Sequence, residues 1–268
     1  MDKEREAFIK ENGKDGFLSF AAHNSAVKVF GATFRDIEED ALRLGIVPFR
    51  YKRNQSTISA ESQKKLFDAH VAVIGCGGLG GNVAEMLARV GVGKLSLFDF
   101  DVFEEHNLNR QNFSTIESLG KEKVYVVKAA LQKINPAVLI SPFVKKFNPV
   151  EDFDMIADAD VVVDALDNPQ TKLELARKCK ENGAGFVHGA IAGMTGQFTT
   201  NNTLENLYHE GGAGAESTAG NLPFTAAFAA SVQSAEVVKI ILGIGKTFKD
   251  EILIADLLNN ELVIIPAK

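Results

Sequence analysis

The 268-residue chain has only two cysteines, Cys76 and Cys179. Two thiols can build neither a four-cysteine zinc site nor a disulfide framework, and a reducing cytoplasm is the expected setting. No uninterrupted apolar run reaches the length that spans a bilayer, and the charged start Met-Asp-Lys-Glu-Arg-Glu lacks the apolar core of a secretory signal. No membrane partner is expected. Long basic runs are missing as well, and a formal net charge of −6 argues against nucleic acid as a general partner. There is no internal repeat and no low-complexity tract. What remains is an ordinary soluble composition, 46% hydrophobic and 24% charged, in a chain long enough for one large domain or two small ones.

Against these absences one stretch stands out, Val71-Ala-Val-Ile-Gly-Cys-Gly-Gly-Leu-Gly80. A small apolar strand runs into Gly75, Gly77 and Gly80 at GxGxxG spacing. A helical stripe of Leu79, Val83, Met86, Leu87 and Val90 follows. Glycines at this spacing allow a tight turn and close approach of the backbone to a phosphate, whose charge the free N–H groups of a helix start attract. The next strand, Lys94–Phe98, ends at Asp99, where a carboxylate can accept from a ribose. The alternative is a tight turn of purely structural meaning.

Strand and helix patterns alternate from Val71 onward. A helix is expected over Lys121–Ile134, a strand over Val138–Pro142, and a helix capped by Asn148 with Pro149 at its first position, running to Ala157. Val161–Val163 reads as a buried parallel strand. Asn168-Pro169 repeats the cap-plus-proline signal for a helix ending near Gly183, and Gly185–Gly189 is the next strand. This order predicts an α/β fold: a doubly wound, mostly parallel, Rossmann-like sheet. Gly196–Asn202 follows with no crossover helix, so an antiparallel C-terminal extension is expected. It closes with a hairpin of Glu251–Ala255 and Glu261–Ile265 around Asn259-Asn260. Between them lie a glycine-rich crossover loop at about 203–222, within which Glu210–Gly220 is expected to be mobile, and a long apolar helix over Phe224–Gly243 that is expected to be buried. Residues 1–49 read as a helical extension, with helices over Glu4–Lys10 and Arg35–Leu44. Residues 50–268 form the expected nucleotide-binding domain, with Ser59 capping a helix over Ala60–Asp68.

The chemistry-bearing residues cluster after Asp99. Asp99-Phe100-Asp101 leads into Asn107-Leu108-Asn109-Arg110-Gln111, and arginine beside polar amides suits phosphate oxygens. Lys123 stands where it can reach the same phosphates, although a surface lysine is the alternative. Asp164 and Asp167-Asn168 lie at the carboxyl end of the Val161–Val163 strand, where open α/β sheets bind ligands. A carboxylate there can hold Mg²⁺ against triphosphate oxygens, while Asn168 can equally serve only as a helix cap. The combined set suits ATP and attack at phosphorus better than hydride transfer.

With these motifs in order, the chain from about Arg50 to Ile265 resembles the ThiF/MoeB/HesA adenylyltransferases, relatives of the ubiquitin-activating enzymes. The blocks that carry the resemblance are Arg50-Tyr51-Lys52-Arg53, Gly75–Gly80, Asp99–Asp101, Asn107–Gln111, Gly120–Lys123, Asp164–Asn168 and Gly189–Gln197. The resemblance implies Gly75, Gly77, Gly78, Gly80, Asp99, Asp101, Asn107, Arg110, Gln111, Lys123 and Asn168 as nucleotide-binding residues. It implies Arg53, Arg110, Lys123 and Asp167 as catalytic, with Asp167 the Mg²⁺ residue. Arg53 matches a family arginine that reaches the other subunit's site, so a homodimer is implied. The implied reaction is ATP-dependent adenylation of a carboxylate, the C-terminal Gly-Gly of a ubiquitin-like sulfur carrier, giving acyl-adenylate and pyrophosphate.

Departures from the family narrow this expectation. The two CxxC pairs that many relatives use for zinc are missing, so no zinc is expected. No cysteine lies in 202–222, Cys179 reads as a packed small hydrophobe, and Cys76 sits in the phosphate turn. Transfer through a cysteine of this protein is therefore not expected, and a separate sulfur donor or amine is the expected acceptor. Family relatives also adenylate a peptide or a modified tRNA base, and these stay open as substrates. An NAD-dependent oxidoreductase is a further alternative, but it leaves Arg53, Arg110, Lys123 and Asp167 without a task. A binding protein that keeps the fold without turnover is another.

Overall fold

A computed structural model describes residues 2–201, 204 and 219–267. The crossover segment expected at 203–222 lies outside these residues except for Leu204 and 219–222.

The large sheet has eight strands. Five are parallel: β4 (His70–Ile74), β5 (Lys94–Asp99), β6 (Leu139–Val144), β7 (Val161–Asp164) and β8 (Gly185–Ala192). Three antiparallel strands extend it: β9 (Thr195–Thr200), β10 (Glu251–Asp256) and β11 (Glu261–Pro266). The order β11-β10-β9-β8-β7-β4-β5-β6 confirms the doubly wound, mostly parallel sheet with its antiparallel C-terminal extension. The chain winds outward from β4 to β6, then returns across β4 to β7. Winding therefore reverses between β4 and β7, which opens a crevice at their carboxyl ends.

Alternation along the strands builds two cores. Val71, Val73, Leu95, Leu97, Val161 and Val163 face α5 (Gly78–Val90), α6 (Lys123–Ile134) and α8 (Pro223–Leu242). Ala72, Ile74, Phe98 and Val162 face α7 (Pro169–Asn182), with Leu173, Ala176 and Cys179 packed on them. α8 is long and apolar enough to cross a membrane by length and composition. It lies along β8 and α5 instead, burying Ala226, Ala229, Ala230 and Val237.

Local signals place most boundaries. The Ser59 hydroxyl accepts from Ser62 N at 3.1 Å at the start of α4 (Ala60–Asp68). Asn168 caps α7 by accepting from Thr171 N at 3.0 Å, with Pro169 first in the helix and left-handed Gly183 after it. The helix expected over Pro149–Ala157 does not form. Asn148 does cap the turn, accepting from Val150 N at 3.0 Å. But Asp152, held by Lys145, turns its carboxylate back onto Asn148 N, and the chain goes on as a 3-10 turn over Phe153–Ile156. Burial of Phe153 and Ile156 in the second core favours that path.

Residues 1–49 contain more than helices at the expected positions. Besides α1 (Lys3–Asn12) and α3 (Phe34–Arg43), they form α2 (Phe20–Phe30) and a small sheet of β1 (Gly13–Lys14), β2 (Phe17–Leu18) and β3 (Val47–Pro48). β1 and β2 are joined by Asp15-Gly16, both at positive φ, the geometry a two-residue hairpin prefers. Ile9, Leu18, Ala26, Ile37 and Ala41 form a core of their own. Buried polar links tie this region to the large sheet's helices. Arg50 pairs with Glu38, Tyr51 donates to Glu38 at 2.9 Å, and Asn135 donates to the Tyr51 oxygen at 2.7 Å and to Ala88 O at 2.9 Å.

Candidate active site

β4 is followed by Gly75 at φ 100°, a left-handed conformation that L side chains rarely adopt. A Cβ there would stand 2.5 Å from Ala165 O, and one at Gly80 would stand 1.8 Å from Gly75 O. The glycine spacing thus lets β4, the start of α5 and the end of β7 pack backbone against backbone. α5 begins with no side-chain cap. Its first-turn N–H groups, at Gly78 and Leu79, adjoin a cavity of about 560 Å³.

That cavity lies in the crevice between β4 and β7. Gly75, Gly77, Gly78, Asp99, Asp101, Asn107, Arg110, Gln111, Lys123, Asp167 and Asn168 all line it. Two expected residues do not. Gly80 is buried behind the turn, where it serves packing. Arg53 is exposed on the 3-10 turn Phe49–Asn54 and is not part of the lining.

Each lining group is held differently. Asp99 is buried, with Oδ2 accepting from Cys76 N and Oδ1 from Asp101 N, both at 2.8 Å. A carboxylate oxygen has two lone pairs, so acceptor capacity remains for the hydroxyls of a ligand. Burial pushes the Asp99 carboxyl above its ordinary value, against the opposing pull of Lys123 and the backbone donors. Lys123 is buried and reaches Asp101 at 3.0 Å. Arg110 donates to His106 O at 3.0 Å and to Asn109 Oδ1 at 2.9 Å, which leaves most of its guanidinium donors for a ligand. Gln111 carries a buried Oε1 that meets no donor among the described residues. Asp167 is exposed and makes no side-chain hydrogen bond or ion pair among the described residues. Beside it, the Asn168 side chain is engaged with Thr171.

Lys145, Lys146 and Phe100 also line the cavity, a contribution sequence reasoning missed. Lys145 and Lys146 follow the carboxyl end of β6, so the winding order alone could have pointed to them. Lys146 stands 5.8 Å over the Phe100 ring.

Both cysteines are buried. Burial, with the Asp99 charge adding to it, pushes the Cys76 thiol well up. The Cys179 thiol is pushed up to about 12 by burial and then by Asp164. Neither is a ready nucleophile at neutral pH.

No three His, Cys, Asp or Glu side chains gather as a resident metal site among the described residues. The lining suits a metal carried by the ligand instead. Mg²⁺ binds through one or two carboxylates plus substrate phosphates and water, and Asp167 offers one carboxylate, unengaged among the described residues, in the cavity that Arg110 and Lys123 also line.

The chain is similar over most of its length to proteins of known name. The SAMP-activating enzyme E1 of Haloferax volcanii is 31% identical over 227 residues, covering 81% of this chain and 84% of that protein. The adenylyltransferase and sulfurtransferase MOCS3 of Bos taurus is 31% identical over 220 residues, 76% of this chain. The chain spans about half the length of such MOCS3 relatives (47% in that case). Among solved structures, the microcin C7 biosynthetic enzyme MccB in complex with N-formylated MccA superposes with a TM-score of 0.73 at 20% identity. That match covers 98% of this chain and 87% of the other, and it shows a shared fold. The model of the ThiF family matches residues 51–268. The glycine turn, the Asp99 and Arg110 blocks and Asp167 all lie within that match, and the chain belongs to the ThiF family.

Proposed function

We propose that this protein is an ATP- and Mg²⁺-dependent adenylyltransferase that activates the C-terminal Gly-Gly carboxylate of a ubiquitin-like sulfur carrier. The observation that carries the reading is the unengaged carboxylate of Asp167 in the same cavity as Arg110 and Lys123. In this reaction a carboxylate oxygen of the carrier attacks the α-phosphorus of ATP. The bond from that phosphorus to the bridging oxygen breaks, and pyrophosphate leaves with the electron pair. Asp99 holds the ribose, and the α5 N-terminus with Gly77 and Gly78 receives phosphate oxygens. Arg110 and Lys123 offset charge that builds on the leaving group, and alignment of the two reactants removes much of the entropic barrier. Mg²⁺ held by Asp167 would supply Lewis-acid neutralisation of the phosphates. No protein nucleophile is needed, and both thiols are buried.

The reading includes a cytoplasmic homodimer in which Arg53 serves the partner's cavity. Two observations support the dimer. Arg53 is exposed and unpaired among the described residues, and edge strand β11 leaves Leu262, Val263, Ile264 and Ile265 exposed. A separate sulfur donor would take the acyl group. A second reading, a peptide carboxylate, is favoured by the N-terminal residues, which belong to the fold shared with MccB.

Carrier-dependent exchange of label between pyrophosphate and ATP tests the proposal. Asp167→Ala should lower exchange by at least ~10²-fold, as expected for loss of a main electrostatic contribution. ATP binding without exchange for any Gly-Gly carrier would move the substrate to a peptide or a modified tRNA base. Mixed Arg53→Ala and Asp167→Ala chains should recover part of the activity. Mixed dimers with none recovered would end the in-trans role.

A further inference from the structure

Three residues behind the cavity carry charge or polarity into the interior with no part in the reaction above. Asp164 ends β7, Lys172 lies in the first turns of α7, and His188 lies on β8, all essentially without solvent exposure. Asp164 Oδ2 accepts from His188 Nδ1 at 2.6 Å, and Lys172 reaches both Asp164 oxygens at 3.3 Å and Gly189 O at 3.4 Å. Burial disfavours the charge on Asp164, but Lys172 and His188 outweigh it and hold its carboxyl below the ordinary value. Burial keeps His188 neutral against the opposing pull of Asp164. The arrangement is thus one ion pair braced by a neutral imidazole. Such a pair adds little net stability over a well-packed apolar set, because desolvation offsets the attraction. Stability alone does not account for it.

Its geometry does suggest a purpose. Asp164 Oδ1, which Lys172 also reaches, accepts from Leu166 N at 3.0 Å, Ala165 N donates to Ile74 O at 3.0 Å, and Gln233 donates to Asp164 O at 2.8 Å. The loop carrying Asp167 therefore starts at Asp164 and returns, through the capped start of α7, to Lys172 on that same carboxylate. Asp167 sits at the free part of a ring closed by the ion pair. We propose that the Asp164–Lys172–His188 cluster is a positioning device that fixes the path of residues 165–168, and so sets how the Asp167 carboxylate meets the Mg²⁺ of bound nucleotide. This rests on the reading of Asp167 given above. These three are positioning residues, since none lines the cavity.

Lys172→Met tests it, with His188→Phe carrying the test should the first fail to fold. Two readouts are needed. Amide exchange at Leu166, measured without metal or nucleotide, should quicken at least tenfold more than exchange in the middle of α7. In ATP binding, the affinity in EDTA should stay within about twofold of wild type, while the Mg²⁺ concentration at half-maximal enhancement rises about fivefold or more. Lys172→Arg, which keeps the charge, should restore much of both. A folded variant with unchanged Leu166 exchange and an Mg²⁺ midpoint within twofold overturns the proposal, as does a uniform loss of protection across α7. Asp167→Ala serves as the control. If it leaves the Mg²⁺ midpoint at the wild-type value, the metal role of Asp167 fails and the consequence drawn for the cluster fails with it. Faster Leu166 exchange in Lys172→Met would then show the loop-fixing part surviving alone.

Discussion

The N-terminal region and the cavity treat charge in opposite ways. In the first, Arg50 and Tyr51 satisfy Glu38, Arg5 pairs with Asp40, and the two carboxylates are almost wholly buried. In the second, exposed Asp167 is unengaged among the described residues, and Arg110 uses only part of its donor set. Buried groups must find partners inside the chain because water cannot reach them. Groups in an open crevice can remain unmet because water, and later a ligand, satisfies them. The contrast separates charges that build the molecule from charges held for use.

The largest effect expected of a test comes from Arg50→Met. It leaves Glu38 buried with only Tyr51 as a partner, and breaking one side of a buried pair costs about 3 kcal/mol or more. Urea denaturation should read that loss while ATP affinity stays within about twofold. A tenfold loss of ATP affinity at unchanged stability would erase the contrast. His23 gives the next effect. Burial, aided by Arg50 and opposed by its bond to Phe34 O, lowers its pKa from 6.5 to about 4. The folded state then binds fewer protons than the unfolded chain between those values. Stability is complete above pH 6.5 and falls by about 3 kcal/mol as pH drops to 4. His70 and His188 are also depressed, so the measurement is the difference in pH slope between wild type and His23→Gln. Parallel slopes would mean that His23 is not held neutral.

How much of this could be read beforehand follows the range of the interactions. Signals written within a few residues were legible: the Ser59 cap, Asn168-Pro169, the Gly75–Gly80 spacing, and the Val161–Val163 strand between aspartates. Most of the cavity lining was legible too, because Asp99, Arg110 and Asp167 follow strand ends whose place in the sheet a βαβ order dictates. The Pro149–Ala157 helix was misread because a proper cap is local, whereas the Lys145–Asp152 tether and the burial of Phe153 are not. Lys145 and Lys146 follow the end of β6 and are open to the same reasoning, but no motif marks them as the Asp99, Arg110 and Asp167 blocks are marked. The Asp164–Lys172–His188 cluster joins three elements across the sheet, and no spacing along the chain announces it. Asp15-Gly16 was a local signal, but two-residue strands offer no alternation to support it.

The smallest stability effect should come from an ion pair between two cavity-lining residues, which blurs the contrast. Lys123 is 7% exposed and Asp101 48%, with 3.0 Å between them. Solvent on the Asp101 side screens the pair, so Asp101→Asn should change stability by under about 1 kcal/mol. Its consequence for binding should be larger in proportion. Removing the carboxylate frees the Lys123 ammonium and takes a negative charge away from incoming phosphates. ATP measured in EDTA at low salt should therefore bind about threefold more tightly, and the gain should fade as added salt shortens the range of the field. Weaker binding would instead make Asp101 a ligand in its own right. A stability loss near that of Arg50→Met would place the Lys123–Asp101 pair with the charges that build the fold.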